Sequence, residues 1–157
     1  MSTRTDAKDK TQRFYDRIAE VHNLAFKLNG YRSSVAKYLK SLDLDLNERS
    51  YVLDAGCGSG IISLGFLDTE APMRRAVAFD LSANLLDIAA EEFADEHPGR
   101  PVSPVQGNIL QMPFAENTFD LVLTCGVLEY VPLDDGLREM ARVLKPNGRL
   151  VLIPVKP

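Results

Sequence analysis

The chain has 157 residues and a mass of 17.4 kDa, the size of one ordinary domain. Its 45% hydrophobic and 25% charged residues exclude a disordered or collagen-like polymer. Eighteen Lys and Arg against 22 Asp and Glu leave a net charge of −4, which argues against nucleic acid or an anionic membrane as the main partner.

Residues 1–12 are polar and lack the apolar stretch of a secretory signal. From Phe14 the apolar positions Phe14, Ile18, Val21, Ala25 and Leu28 form one stripe of a helix, stopped by Asn29-Gly30. A second helix carries Val35, Tyr38, Leu39 and Leu42. The pattern then alternates between strands and helices. Tyr51–Leu53 is a β-favouring run that meets Asp54 and a glycine cluster, and Ile61–Leu67 reads as a helix closed before Pro72. Ala76–Asp80 is a second buried strand, and Ser82 caps a helix running from Ala83 to about Ala94. After His97-Pro98-Gly99 a third strand spans Val102–Gln106. Phe119–Thr124 is a fourth strand, apolar enough after Asp120 to be covered on both faces. Leu133, Leu137, Met140 and Leu144 mark a last helix, Lys145–Gly148 is a stop and turn, and Arg149–Val155 is a fifth strand. No stretch approaches the ~18 apolar residues of a membrane span.

Such alternation predicts right-handed βαβ units and a doubly wound α/β fold around a mostly parallel sheet. Pro104 lies within the third strand, and proline cannot donate to a ladder, so this strand belongs at an edge. The order 3-2-1-4-5 satisfies that, and it sets the ligand crevice at the carboxyl ends of strands 1 and 4. Two cysteines, Cys57 and Cys125, are too few for a disulfide framework and point to a reducing, cytoplasmic setting.

The segment that carries chemistry is Val52-Leu53-Asp54-Ala55-Gly56-Cys57-Gly58-Ser59-Gly60, a strand running into a helix. Its glycines permit a sharp turn and let a ligand approach without a Cβ in the way. A tight turn without a ligand is the rival reading. A nicotinamide dinucleotide site wants G-x-G-x-x-G and a ribose-binding acid about 20 residues on. Asp80 meets the second condition, but the loop is G-x-G-x-G. Asp54 would also repel a pyrophosphate, whereas it would welcome a ligand with an ammonium and a sulfonium.

Over nearly its whole length the chain resembles the class I S-adenosylmethionine-dependent methyltransferases. The resemblance lies in the glycine loop Val52–Gly60, in Phe79-Asp80-Leu81-Ser82, in Gly107–Phe114 followed by Phe119–Val122, and in Leu144–Leu150, all in the family's order. It implies a Rossmann-like sheet and S-adenosyl-L-methionine as cofactor. Asp54 with the Gly56 and Gly58 backbone would hold the methionine portion, in a loop that includes Cys57 and Gly60. Asp80 would accept from both ribose hydroxyls, with Leu81 on the adenine and Ser82 beside it. Asn108 and the Ile109 backbone would read the adenine edge; the family usually has Asp at 108, and Asn keeps one acceptor but also forms turns readily. Cys125 would line the pocket under the sulfonium, or serve as a small buried hydrophobe.

The segment Tyr15–Asn23 resembles the lid helix of small-molecule methyltransferases, among them the quinone-biosynthesis C-methyltransferases. Tyr15 and His22 share a face and would close over the cofactor, although His22-Asn23 replaces the Tyr-Asp of the quinone group. Residues 1–48 thus read as lid helices and 49–157 as the cofactor-binding core of a single domain.

Methyl transfer from an activated sulfonium asks a protein for orientation and a dry pocket. No nucleophile elbow and no metal-ligand spacing is legible, and Glu129 is the one candidate general base. The family's full domain has seven strands and this chain reaches five. It is therefore expected to be a shortened form, or to complete its sheet with a partner at the strand-five edge. The expected activity is methylation of a small-molecule or lipid-like acceptor. A non-catalytic S-adenosylmethionine-binding module and a nicotinamide-dependent oxidoreductase are the alternatives.

Overall fold

A computed structural model describes residues 30–153 of the chain. The expected lid helix, with Tyr15 and His22, lies outside the described residues.

Helix α1 (Tyr31–Ser41) starts after Gly30 and buries Val35, Ala36 and Leu39. Strand β1 (Tyr51–Ala55) runs two residues further than the apolar run implied, because Asp54 and Ala55 are themselves buried. Helix α2 (Ile61–Leu67), β2 (Arg75–Asp80) and α3 (Ala83–Glu96) follow, and the Ser82 hydroxyl caps α3 by accepting from the Leu85 N–H. Strand β3 (Val102–Gln106), β4 (Phe119–Cys125), a 3-10 turn (Val127–Glu129), α4 (Leu133–Val143) and β5 (Leu144–Ile153) complete the order.

All neighbouring strands pair in parallel, in the order β3-β2-β1-β4-β5. The proline-bearing β3 is at the edge, where Pro104 sits opposite Ala78. Alternation along each central strand sends side chains to two cores. Val52, Ala76, Ala78 and Leu123 join Val35, Leu39, Leu64 and Phe93 beneath α1, α2 and α3. Leu53, Ala55, Val77 and Phe79 pack with Met140 and Val143 of α4 on the opposite face.

The fifth strand differs from expectation. Lys145–Gly148 does not separate α4 from β5; the strand begins at Leu144, opposite Phe119, directly after the helix. Between that pair and Leu121 opposite Arg149 the register shifts, so the turn-forming residues make a bulge inside β5. The Lys145 ammonium holds the bulge by reaching Asp120 at 3.0 Å, and the same carboxylate accepts from the Tyr51 N–H. A strand pairing therefore outweighs the local turn preference of Pro146-Asn147-Gly148.

Candidate functional site

The carboxyl ends of β1 and β4 diverge at the crevice that the strand order sets. Backbone pairing stops at Asp54 opposite Leu123, and one step on the Thr124 hydroxyl donates to the Ala55 carbonyl at 2.8 Å. Beyond this point β1 turns into the glycine loop. The Gly56 and Cys57 N–H groups both donate to the Phe79 carbonyl, which ties the loop to β2.

The loop's glycines are glycines for different reasons. Gly56, Gly58 and Gly60 all have positive φ. A Cβ on Gly56 would lie 2.6 Å from Val127 Cβ, and one on Gly60 would lie 2.9 Å from the Phe93 ring. Those two positions serve close packing against the 3-10 turn and α3. A Cβ on Gly58 would meet nothing within 4 Å. Open space for a ligand is therefore confined to Gly58, a narrower result than the spacing implied.

Asp54 shares a face of β1 with Val52, so it points toward α2. It is 3% exposed, and its Oδ2 accepts from the Ser63 hydroxyl at 2.6 Å. Its Oδ1 is buried and has no hydrogen-bond partner among the described residues. Burial raises the carboxyl from 3.8 to about 7; the Ser63 bond works against that shift and the nearby Asp80 charge adds to it. A buried carboxylate oxygen left bare suits a cationic group. Ser63 is part of this arrangement and was not legible, since only the docking of α2 brings it to Asp54.

Asp80 closes β2. Its Oδ2 accepts from the Gly58 N–H at 2.8 Å and its Oδ1 from the Ser82 N–H at 2.9 Å. These bonds fix the carboxylate beside the open glycine. A carboxylate has about four lone-pair sites, so two such bonds are compatible with further donors. Leu81, next in sequence, is 53% exposed.

The other expected residues fall around this centre. The Cys57 thiol is buried in the α1–α3 core and donates to the Gly58 carbonyl, and burial pushes its pKa up. The Ile109 side chain is buried with Phe79 and Met112, so the residue presents backbone rather than side chain. Asn108 is exposed, and its Oδ1 accepts from the Leu110 N–H at 2.9 Å. Its acceptor thus serves the turn that sequence offered as the rival reading. Glu139 and Arg142 of α4 pin this loop through the Met112 N–H and the Phe114 carbonyl. Glu129 is exposed on the 3-10 turn.

Cys125, half-buried at the end of β4, has its Sγ 3.3 Å from the Tyr31 hydroxyl of α1. Burial raises both groups, so both stay neutral at ordinary pH. Tyr31 escaped the sequence reading because it meets Cys125 across 94 residues of chain.

The match to known proteins agrees with this architecture. A family model described as a methyltransferase domain matches residues 53–152. A demethylmenaquinone methyltransferase of Listeria monocytogenes is 33% identical over 149 residues, covering 92% of this chain and 59% of its own. A sterol 4-C-methyltransferase of Caenorhabditis elegans is 33% identical over 110 residues, 69% of this chain and 32% of its own. Among solved structures, geranyl diphosphate C-methyltransferase from Streptomyces coelicolor, in complex with S-adenosyl-L-homocysteine, superposes with a TM-score of 0.69. It is 25% identical and covers 78% of this chain and 43% of that one. The chain thus spans less than two thirds of the length of each of these relatives.

Proposed function

Since the chain belongs to the methyltransferase domain family, as a class I S-adenosylmethionine-dependent member, we propose that its crevice binds S-adenosylmethionine and passes the methyl group to a small-molecule or lipid-like acceptor. The observation that carries this is the bare, buried Asp54 oxygen, together with the unobstructed backbone position at Gly58. The donor set fits the cofactor: a carboxylate for the cationic amino-acid end, an open glycine backbone, and a second carboxylate at the end of the next strand for a diol.

When bound, the cofactor supplies a methyl group already activated on sulfur, for in-line displacement. The chain's own residues orient and shield. Asp54 receives the ammonium end, and the backbone at Gly56, Cys57, Gly58 and Gly60 shapes the cradle. Asp80, held by the Gly58 and Ser82 N–H groups, accepts from ribose hydroxyls. Leu81 covers the adenine, and Asn108 and the Ile109 backbone meet its edge, with the Asn108 amide N–H₂ available beyond the turn bond. The neutral Cys125 and Tyr31 wall excludes water near the sulfur. In the proposed domain residues 1–48 carry the lid, with Tyr15 and His22, on a base formed by α1, which packs into the core, and residues 49–157 form the cofactor-binding part. Glu129, exposed on the 3-10 turn after β4, is our candidate to take a proton from the acceptor.

The relatives are named for demethylmenaquinone, a sterol and geranyl diphosphate, each of which carries a substantial hydrocarbon portion, and this supports a small-molecule or lipid-like acceptor. No nucleic acid partner is expected of a chain with a net charge of −4. Among the described residues no helix is long and apolar enough to cross a membrane. We place the protein in the cytoplasm, in keeping with its two free thiols, and propose self-association along the β5 edge.

Calorimetric titration with S-adenosylhomocysteine and NAD in parallel tests the ligand. Binding of the first alone is expected, and binding of NAD alone would overturn the reading. Transfer of labelled methyl from S-adenosylmethionine to quinone, sterol or prenyl acceptors tests the reaction. Cofactor binding without turnover on any of them would return the non-catalytic reading.

A further inference from the structure

One carboxyl group at the crevice has no countercharge supplied by the described residues. Asp54 is enclosed by β1, α2 and the glycine loop, with Oδ1 bare and Oδ2 on a neutral hydroxyl. The groups around it come from every neighbouring element. Ser63 of α2 is neutral, and so are the Cys57 thiol of the loop and the Cys125 thiol of β4, which carries Tyr31 of α1 above it. Asp80 of β2 is an acid, and Glu129 of the 3-10 turn, felt at Cys125, is another. None of the described groups that act on Asp54 is a cation.

We propose that Asp54 is protonated in the ligand-free protein and releases that proton when the ammonium end of an S-adenosyl ligand enters, so that binding exchanges one proton for one cation. The inference rests on the cofactor reading above and adds the protonation state to it. In the exchange the O–H bond of the Asp54 carboxyl breaks, the proton passes to buffer, and the carboxylate left behind pairs with the incoming ammonium. The buried site stays neutral before and after. That is the favoured course in a low-dielectric interior, where a lone carboxylate near Asp80 is strongly destabilised. The upward displacement of the carboxyl to about 7 agrees with this geometry.

The test is calorimetric titration of the full chain with S-adenosylhomocysteine at about pH 6, in several buffers of different ionisation enthalpy. At that pH the ligand's own amino group is already charged and contributes no proton. The observed enthalpy should vary linearly with buffer ionisation enthalpy, with a slope approaching one proton released. The isosteric Asp54→Asn variant should give a flat line. Tight binding with a buffer-independent enthalpy overturns the exchange and leaves the cofactor reading standing. A slope that persists undiminished in Asp54→Asn also overturns it, since the proton then comes from elsewhere. Failure to bind in any buffer removes the cofactor reading and the exchange together.

Discussion

An alanine at Gly56 would bring its Cβ to 2.6 Å from Val127 Cβ while holding a φ of 78°. Overpacking costs about 1–3 kcal/mol and the left-handed backbone about 1–2 kcal/mol more. Gly56→Ala should therefore lose roughly 2–5 kcal/mol in urea unfolding, and Val127→Gly in the same chain should recover part of it. Gly58→Ala carries only the backbone cost, about 1–2 kcal/mol. Its larger effect should appear in calorimetry, as S-adenosylhomocysteine binding weakened roughly tenfold, about 1.4 kcal/mol. Equal losses of stability in the two variants would contradict the separate roles. Asp54 makes a pH prediction at the same scale. Its folded value of about 7 lies above the ordinary 3.8, so the folded state holds the proton between those limits. Stability contributed by Asp54 is present at acid pH and declines as pH rises from about 4 to 7. Denaturant midpoints of the ligand-free protein across that range should show the decline, and Asp54→Asn should flatten it.

Helix α1 is attached by charge as well as by its apolar face. Arg32 grips Asp68, just past α2, through Nε and Nη2 at 2.6 Å, and also pairs with Glu96 at the end of α3. His97 Nε2 stands 3.0 Å from the same Asp68. Partial burial works to raise the Asp68 pKa, but the Arg32 fork outweighs it and the net shift is downward. A carboxylate lowered on folding stabilises above the ordinary carboxylate range and loses that contribution as pH falls through its folded value. Arg32→Ala should cost about 1 kcal/mol once solvent screening of these partly exposed groups is allowed for. It should also raise amide exchange in α1 more than in α4. Uniform exchange across both helices would show that the fork does not hold α1. The helix itself was legible from Val35 and Leu39. Its ionic attachment was not, because Arg32, Asp68 and Glu96 are brought together only by three helices packing at one end.

At the scale of the molecule, the parallel sheet puts β5 at one end, with Leu152 47% exposed on it. An apolar edge strand invites pairing with another chain. Sedimentation over a wide concentration range should show reversible association that Leu152→Lys weakens; a species that stays monomeric at high concentration would refute the proposed contact. The strand order followed from one proline: Pro104 sends β3 to the edge, and the crevice then falls between β1 and β4. The fifth strand was less legible. Pro146-Asn147-Gly148 has strong local turn chemistry, and only its pairing with β4 draws it into the sheet as a bulge.

Periodicity and spacing along the chain by themselves determined most of the described elements, their alternation, the loop that turns on glycine, and the two acids near the carboxyl ends of adjacent strands. These are local properties, written in runs of a few residues, and backbone sterics reads them directly. Tertiary structure alone decided that Gly58 and not Gly56 faces open space, that one oxygen of Asp54 is left bare while Ser63 takes the other, and that Tyr31 reaches Cys125. Each of these depends on which side chain a distant segment delivers to a given point, and that is set by how helices dock on the sheet.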